Sequence, residues 1–178
     1  MVRFAGLIVG IALGYAAVAP EPALGQSLRQ SFRADLRGFN QVPSISTSGT
    51  GRFDAELIPE DGSIEYTLRY SDLESAVTHA DIHLSQAASN GGIILFLCSN
   101  LDNRPAGTQS CPEGDGEISG VITADDVLGS ADQWLDPGVF DQLLQAMLDR
   151  ATYVNVHTEL QGAGEIRGQI MPNTPEVN

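Results

Sequence analysis

Thr78-His79-Ala80-Asp81-Ile82-His83-Leu84 is the stretch of sequence that most clearly indicates the fold. In an extended chain successive side chains point to opposite sides, so His79, Asp81 and His83 share one face and the apolar residues between them share the other. A second segment of the same kind, Tyr153-Val154-Asn155-Val156-His157-Thr158, carries the third and last histidine of the chain. Both segments therefore predict strands with an apolar face and a histidine-bearing face.

Similar alternation recurs along most of the chain. It predicts half-buried strands near residues 31–37, 51–58 and 63–70, a fully buried strand at 92–97, and further strands at 117–123, 152–158 and 164–171. About eight short strands separated by turn residues indicate an all-β fold, which we expect to be an antiparallel Greek-key or immunoglobulin-like β-sandwich.

The period changes to a helical one between residues 124 and 150, where apolar side chains recur three and four positions apart. We expect a short helical insertion here, with Asp136 as its cap and Pro137 at its first position. Thr123-Ala124-Asp125-Asp126 has the character of a separate short helical turn.

The N-terminus has the layout of a secretory signal peptide. One arginine, Arg3, precedes an uncharged apolar run of about 15 residues, shorter than the roughly 20 needed to span a bilayer. The small residues Ala23 and Gly25 favour cleavage after Gly25. We therefore expect a signal peptide at residues 1–25, one domain at 26–172, a disordered tail at 173–178, and no membrane span after cleavage. Such a protein is secreted, or resides in the periplasm or cell envelope.

The charge of the chain restricts its partners. Its formal net charge is -14, and all nine basic residues are arginines. An acidic surface repels nucleic acid and anionic membranes, so neither is an expected partner. The absence of lysine also excludes Schiff-base chemistry. The remaining partner class is an extracellular ligand or protein that the sequence does not identify.

Cys98 and Cys111 are the only cysteines, and they lie in a loop-like segment of an apparently exported chain. Oxidising compartments favour disulfides, so we expect these two residues to pair. A metal-binding or reactive pair is the alternative, although the spacing is unlike CxxC and no histidine flanks it.

The three histidines suggest a metal site formed by His79, His83 and His157, completed by Asp81 or Glu165. Residues two apart on one strand face lie about 6.5–7 Å apart at Cα, so their imidazoles can converge on one ion. Copper and zinc both accept imidazole and carboxylate ligands. In the alternative, these residues only stabilise the sheet: His157 bonds a loop carbonyl, and Arg167 pairs with Glu165 or Asp81.

Other sites have less support. The chain contains no GxSxG elbow to support a hydrolytic triad, and Asp125-Asp126 suits a helix start better than a glycosidase pair. The acidic loop at residues 113–117 lacks the EF-hand pattern for calcium. No catalytic residue is predicted, and the protein is not expected to be an enzyme.

The closing strands provide the most specific signal. Tyr153-Val154-Asn155-Val156-His157-Thr158, followed by Gly164-Glu165-Ile166-Arg167-Gly168-Gln169-Ile170, closely resembles the closing motif of the CHRD (chordin) domain family. Ala80-Asp81-Ile82-His83 is similar to the family's AHIH segment, with Asp81 in place of its first histidine. The resemblance spans about residues 32–171. It implies an exported β-sandwich, which in chordin-type animal proteins is repeated within binders of extracellular growth factors.

From residues and resemblance together, we expect a secreted, non-enzymatic binding or structural module that needs no cofactor. The alternative is a copper- or zinc-binding protein with a redox role like that of superoxide dismutases.

Overall fold

A computed structural model of the protein describes residues 29–102 and 104–173. The predicted signal peptide and residues 174–178 of the predicted tail lie outside this range. Within it the chain forms nine strands and one α-helix. These are β1 (Ser31–Arg37), β2 (Thr50–Ile58), β3 (Ser63–Ser71), β4 (Val77–Leu84), β5 (Ile93–Ser99), β6 (Gly116–Ile122), α1 (Phe140–Leu148), β7 (Thr152–Thr158), β8 (Ile166–Gln169) and β9 (Met171–Pro172).

The strands form one antiparallel sheet in the order β5-β4-β7-β8-β1-β2-β3-β6, and the short β9 also pairs with β1. The predicted all-β antiparallel fold of about eight strands is confirmed. The sheet is curved into a nearly closed, barrel-like form. The strand pairing follows a single continuous path, so the finer prediction of a Greek-key or immunoglobulin-like sandwich is not confirmed.

Side chains link β5 and β6, the two ends of this path. The Gln109 amide donates to Leu97 O on β5 at 3.2 Å and to Ser119 O on β6 at 3.1 Å. The Tyr66 hydroxyl, from β3, donates to the same Leu97 O at 2.9 Å and accepts a hydrogen bond from Gln109. Hydrogen bonds from polar side chains thus join β5 and β6, which do not pair with each other as strands.

The predicted disulfide is present. Cys98, near the end of β5, is bonded to Cys111, and their Cα atoms are 5.0 Å apart. The Asn100 side chain holds the same loop in place, since it donates to Val77 O on β4 and accepts from the Cys111 N–H.

The predicted helical insertion is confirmed, but its start was wrong. Helix α1 begins at Phe140 with Val139 as its N-cap residue, so Asp136 and Pro137 precede the helix. Gly138 has φ +77°, which right-handed helix cannot accommodate, and its N–H bonds back to Val127 O. The helix packs Leu143 and Met147 against the core. The predicted short turn is also present, as a 3-10 helix at Ala124–Asp126.

The inner face of the sheet is mainly apolar, whereas its outer face differs between two halves. On β1, β2, β3 and β6 the outer face is open and carries ion pairs such as Arg33–Asp54 and Arg69–Glu117. On β4, β7 and β8 the outer face is polar but buried, so that every residue of β7 is buried. Loops at residues 38–45, 85–92 and 159–164 cover it, as their hydrogen bonds to these strands show. The histidines lie in this covered half.

No helix among the described residues is long and apolar enough to cross a membrane. Asn173, the first residue of the predicted tail, hydrogen-bonds through its N–H to Ser31 O at 2.8 Å. The prediction of a disordered tail therefore now concerns residues 174–178.

The Tyr66 hydroxyl should contribute measurably to stability. Because Tyr66→Phe removes a buried hydroxyl that serves both Leu97 and Gln109, we expect the free energy of unfolding to fall by about 1–1.5 kcal/mol in urea titrations. The control is Thr67→Val, on the same strand, whose hydroxyl makes only an exposed bond to Ser119 and should cost less than about 0.5 kcal/mol. Equal effects of the two substitutions would contradict this role for Tyr66.

Candidate functional site

The pairing of β4 with β7 brings the two histidine segments together. His79 lies opposite His157, Asp81 opposite Asn155, and His83 opposite Tyr153. All six side chains occupy the covered outer face, because the residues between them, such as Ile82 and Val156, belong to the core. The adjacency that a shared site requires is therefore present.

Asp81 lies at the centre of this group, and its side chain is fully buried. Its Oδ1 is 2.9 Å from His83 Nε2 and 3.4 Å from His157 Nε2, while its Oδ2 is 3.5 Å from His79 Nε2. We call these four residues, His79, Asp81, His83 and His157, the Asp81 cluster. The ligand atoms of His79, Asp81 and His157 all lie within 4.8 Å of one another.

Backbone carbonyls fix the tautomers of two of the histidines. His83 Nδ1 is 2.9 Å from Gly91 O, and His157 Nδ1 is 3.0 Å from Gly162 O. A carbonyl oxygen only accepts hydrogen bonds, so both Nδ1 atoms must carry the proton. In the neutral rings Nε2 then carries the lone pair, and these nitrogens lie 2.9 Å (His83) and 3.4 Å (His157) from Asp81 Oδ1. Metal-binding histidines show the same arrangement, in which the ring nitrogen that does not contact the metal donates to a backbone or carboxylate oxygen.

His79 is held less firmly. Its Nδ1 contacts the Thr78 hydroxyl at 3.0 Å, a group that can either donate or accept. Its ring stacks on that of His157, with centroids 3.9 Å apart and planes 12° apart. Stacked rings direct their lone pairs side by side, so His79 must tilt before it can share an ion with His157.

None of the three histidine–Asp81 contacts has hydrogen-bond alignment. Both Asp81 oxygens and His83 Nε2 are buried, and they have no hydrogen-bond partner among the described residues. Two ligands at about 2.0–2.1 Å from one ion lie about 2.9 Å apart at a right angle and about 3.4 Å apart at the tetrahedral angle. The contact distances in the Asp81 cluster span this range, and the two longest exceed the usual N–H···O range of about 2.7–3.2 Å.

The environment shifts the pKa values of the cluster in different directions. Burial and the neighbouring His157 lower the pKa of His79 to about 4. Burial alone would lower the pKa of His157, but its contacts with Asp81 outweigh burial and raise it. Burial alone would raise the pKa of Asp81, but the contacts with His157 and His83 outweigh it, so the pKa is lowered. Asp81 is therefore a buried anion at neutral pH.

A second group of polar residues, not predicted from the sequence, supports His157. The Asn155 side chain donates to His157 Nε2 at 3.0 Å and to Ala163 O at 3.2 Å, and accepts a hydrogen bond from Gln41 at 2.7 Å. Asn155 lies on the strand face that the histidine pattern had already marked. Gln41 had no such signal, since it reaches the site from a loop far away in sequence.

Tyr153 and Arg167 form a stack against His83. The rings of Tyr153 and His83 are parallel within 2°, and the Arg167 guanidinium lies 3.4 Å over the other face of Tyr153. Arg167 is buried and donates to Asn90 Oδ1 and Ser89 O, so it pairs with neither Glu165 nor Asp81. The stack fixes the position of the His83 ring.

Glu165 is not brought to the cluster. Its Oε1 accepts from the Thr47 hydroxyl and from the Glu74 N–H, and its Oε2 accepts from the Thr158 hydroxyl. Its carboxylate thus fastens the loop at residue 47 to the end of β7. Of the five predicted ligands, the structure brings His79, Asp81, His83 and His157 together and leaves Glu165 outside.

The chain was also compared with known proteins. It matches the family model of the CHRD domain over residues 32–170. A search for similar curated proteins returned no match. The family consists in general of non-enzymatic modules. The matched region contains β1 except its first residue, all of β2 to β8, and the whole Asp81 cluster. The chain therefore belongs to the CHRD domain family, as its closing motif had indicated.

Proposed function

We propose that this protein is a non-enzymatic module exported from the cytoplasm that binds one divalent transition-metal cation, copper or zinc, at the Asp81 cluster. The supporting observation is the position of the lone pairs of His83 and His157. Their Nε2 atoms lie 2.9 and 3.4 Å from one buried carboxylate oxygen, Asp81 Oδ1, and backbone carbonyls at Nδ1 hold both rings in place. Three neutral imidazoles and a carboxylate form a ligand set that suits either metal.

The competing explanation is a purely structural cluster in which a proton balances the charge of Asp81. The raised pKa of His157 favours a proton on its Nε2, but that proton would satisfy only this one nitrogen atom. The lone pair of neutral His83 would still face the carboxylate at 2.9 Å, an arrangement that costs free energy in a buried site. A cation bound between Asp81 Oδ1 and His83 Nε2 would remove this unfavourable contact, which favours the metal.

Besides the tilt of the His79 ring, metal binding requires a local rearrangement at His157. His157 Nε2 now accepts a hydrogen bond from Asn155, and that lone pair must be released for a cation. Asn155 keeps its bond to Ala163 O when this happens, so its amide is not left unpaired.

The limited access to the cluster supports binding rather than catalysis. The side chains of His79 and His83 are 13% and 10% exposed, and Asp81 is fully buried. Because these two rings separate Asp81 from solvent, an organic substrate cannot lie beside its carboxylate. The Cys98–Cys111 disulfide supports an oxidising location such as the periplasm or the exterior.

Direct titration tests the metal site. Protein prepared without an affinity tag and treated with a chelator should bind one equivalent of Cu²⁺ or Zn²⁺ in calorimetry. Asp81→Asn should weaken binding at least about 100-fold, because it removes the only charged ligand of the cluster, and loss of a metal ligand costs more than the 10- to 100-fold of a supporting residue. His83→Ala and His157→Ala should weaken binding more than His79→Ala, whose ring must tilt to take part.

Glu165→Gln is the matched control, because Glu165 is the other buried carboxylate near these strands but lies outside the cluster. Its metal affinity should equal that of the unmodified protein, with folding verified by circular dichroism. If the metal-free protein binds no stoichiometric cation, or if Asp81→Asn binds as well as the parent, the structural explanation is correct.

The metal-free protein should show two separated histidine titrations in imidazole NMR. His79 should titrate near pH 4, and His157 above its ordinary value of 6.5. The folded pKa of His79 lies below its unfolded value, so stability is lost as pH falls from about 6.5 towards 4. His157 has the opposite sign: it adds stability below about 6.5 that is lost as pH rises through its folded pKa. Joint titration of both rings near 6.5 would contradict the contacts around Asp81.

A further inference from the structure

The only tryptophan of the chain, Trp134, is almost completely exposed. It is 90% exposed, more than any other large hydrophobic side chain among the described residues. It lies in the segment of residues 127–138, which we call the Trp134 loop, between the 3-10 helix at Ala131–Gln133 and helix α1. Neither the core nor the Asp81 cluster uses this side chain.

The Trp134 loop is firmly attached to the sheet. Ser130 and Leu135 form an antiparallel bridge on either side of the turn, and Leu135 is buried. The Gln133 side chain donates to Leu84 O at 2.7 Å and accepts from the Gly92 N–H at 2.8 Å. The Leu128 N–H also donates to Ile94 O on β5. The loop therefore holds Trp134 in a fixed position rather than leaving it on a free tether.

The backbone at Trp134 is unfavourable for such a residue. Its φ is +61°, in the left-handed region, where a bulky side chain is uncommon and less favourable than in the usual conformations. Glycine would fit this position without that cost. Neither packing nor backbone preference explains why tryptophan stands here, so stability does not account for it.

The charge around Trp134 selects the kind of partner. Residues 105–149 contain nine acidic residues and no arginine or lysine, and Asp132 and Asp136 lie two positions on either side of Trp134. An anionic membrane or nucleic acid would be repelled by this segment. An arginine or lysine side chain would be attracted by the carboxylates, and its cation can stack on the indole face.

We propose that Trp134 and its flanking aspartates form a docking site for an arginine- or lysine-bearing segment of a partner protein. The aspartates attract the basic segment, and the indole ring binds one cationic side chain face to face. This site is separate from the Asp81 cluster and does not depend on metal.

Intrinsic fluorescence provides a direct test, because the chain has a single tryptophan. Octa-arginine peptide should change the Trp134 emission saturably in the full-length protein, whereas octa-glutamate should not. In calorimetry, Trp134→Ala should weaken octa-arginine binding about 3- to 30-fold, the range that corresponds to a cation–π contact. Trp134→Phe should retain part of the affinity, and Asp132→Asn with Asp136→Asn should weaken it further at low salt.

Phe39→Ala is the matched control, since Phe39 is a second exposed aromatic side chain, at 70%, outside this loop. It should leave octa-arginine binding unchanged. Unchanged affinity of Trp134→Ala would show that the peptide binds the acidic surface in general, and would overturn the proposal. Emission changes with phosphatidylcholine vesicles but not with octa-arginine would overturn it in favour of a lipid surface.

Trp134→Gly separates docking from stability. If Trp134 serves only a partner, glycine should leave the melting temperature unchanged or raise it, because it relieves the positive φ. A fall of more than about 4 °C, equivalent to roughly 1 kcal/mol in a domain of this size, would show a structural role and overturn the proposal.

Discussion

The antiparallel register of β4 against β7 is the constraint on which the rest of this structure depends. It places a carboxylate, Asp81, opposite Asn155 in the middle of a sheet face that solvent does not reach. Burying an ionised carboxylate costs several kcal/mol unless charge and hydrogen bonds compensate for it. The histidines on either side of Asp81 are the groups that can provide this compensation, by carrying a proton or by sharing a cation with it.

Glycine residues allow the loops that cover this sheet face to approach it closely. Gly91 and Gly162 bring their carbonyls to the Nδ1 atoms of His83 and His157. A Cβ at Gly91 would collide with the backbone of Leu84, and at Gly164, where φ is +110°, with the Asn155 amide. Larger residues at Gly91 or Gly164 would therefore push these loops away from the sheet, whereas a Cβ at Gly162 would meet open space. The loop glycines and the strand histidines form one structural unit.

The sequence was sufficient for the strands, the shared histidine face, the disulfide and the helical insertion, because each depends on local periodicity or pairing chemistry. It was insufficient for contacts between residues that are far apart in the sequence. Gln41 reaches Asn155 across more than a hundred residues, and no local pattern marks it. Glu165 directly precedes β8, and its carboxylate binds Thr47 and Glu74, which lie in loops whose course the periodicity of the sequence cannot predict. The start of α1 was missed because the positive φ of Gly138 is a tertiary outcome.

Alternation of polar and apolar residues normally indicates a strand with one face in water, and on β1 to β3 it does. On β4 and β7 the polar face is buried too, so each of its groups needs a partner within the protein. The backbone bonds to His83 and His157, the Tyr153–Arg167 stack and the Asn155 amide involve only protein atoms. The imidazoles of His83 and His157 are thus oriented before any ligand arrives, and the entropy of ordering them is lost on folding rather than on binding. In the metal site proposed above, this ordering would allow tight binding with few ligands.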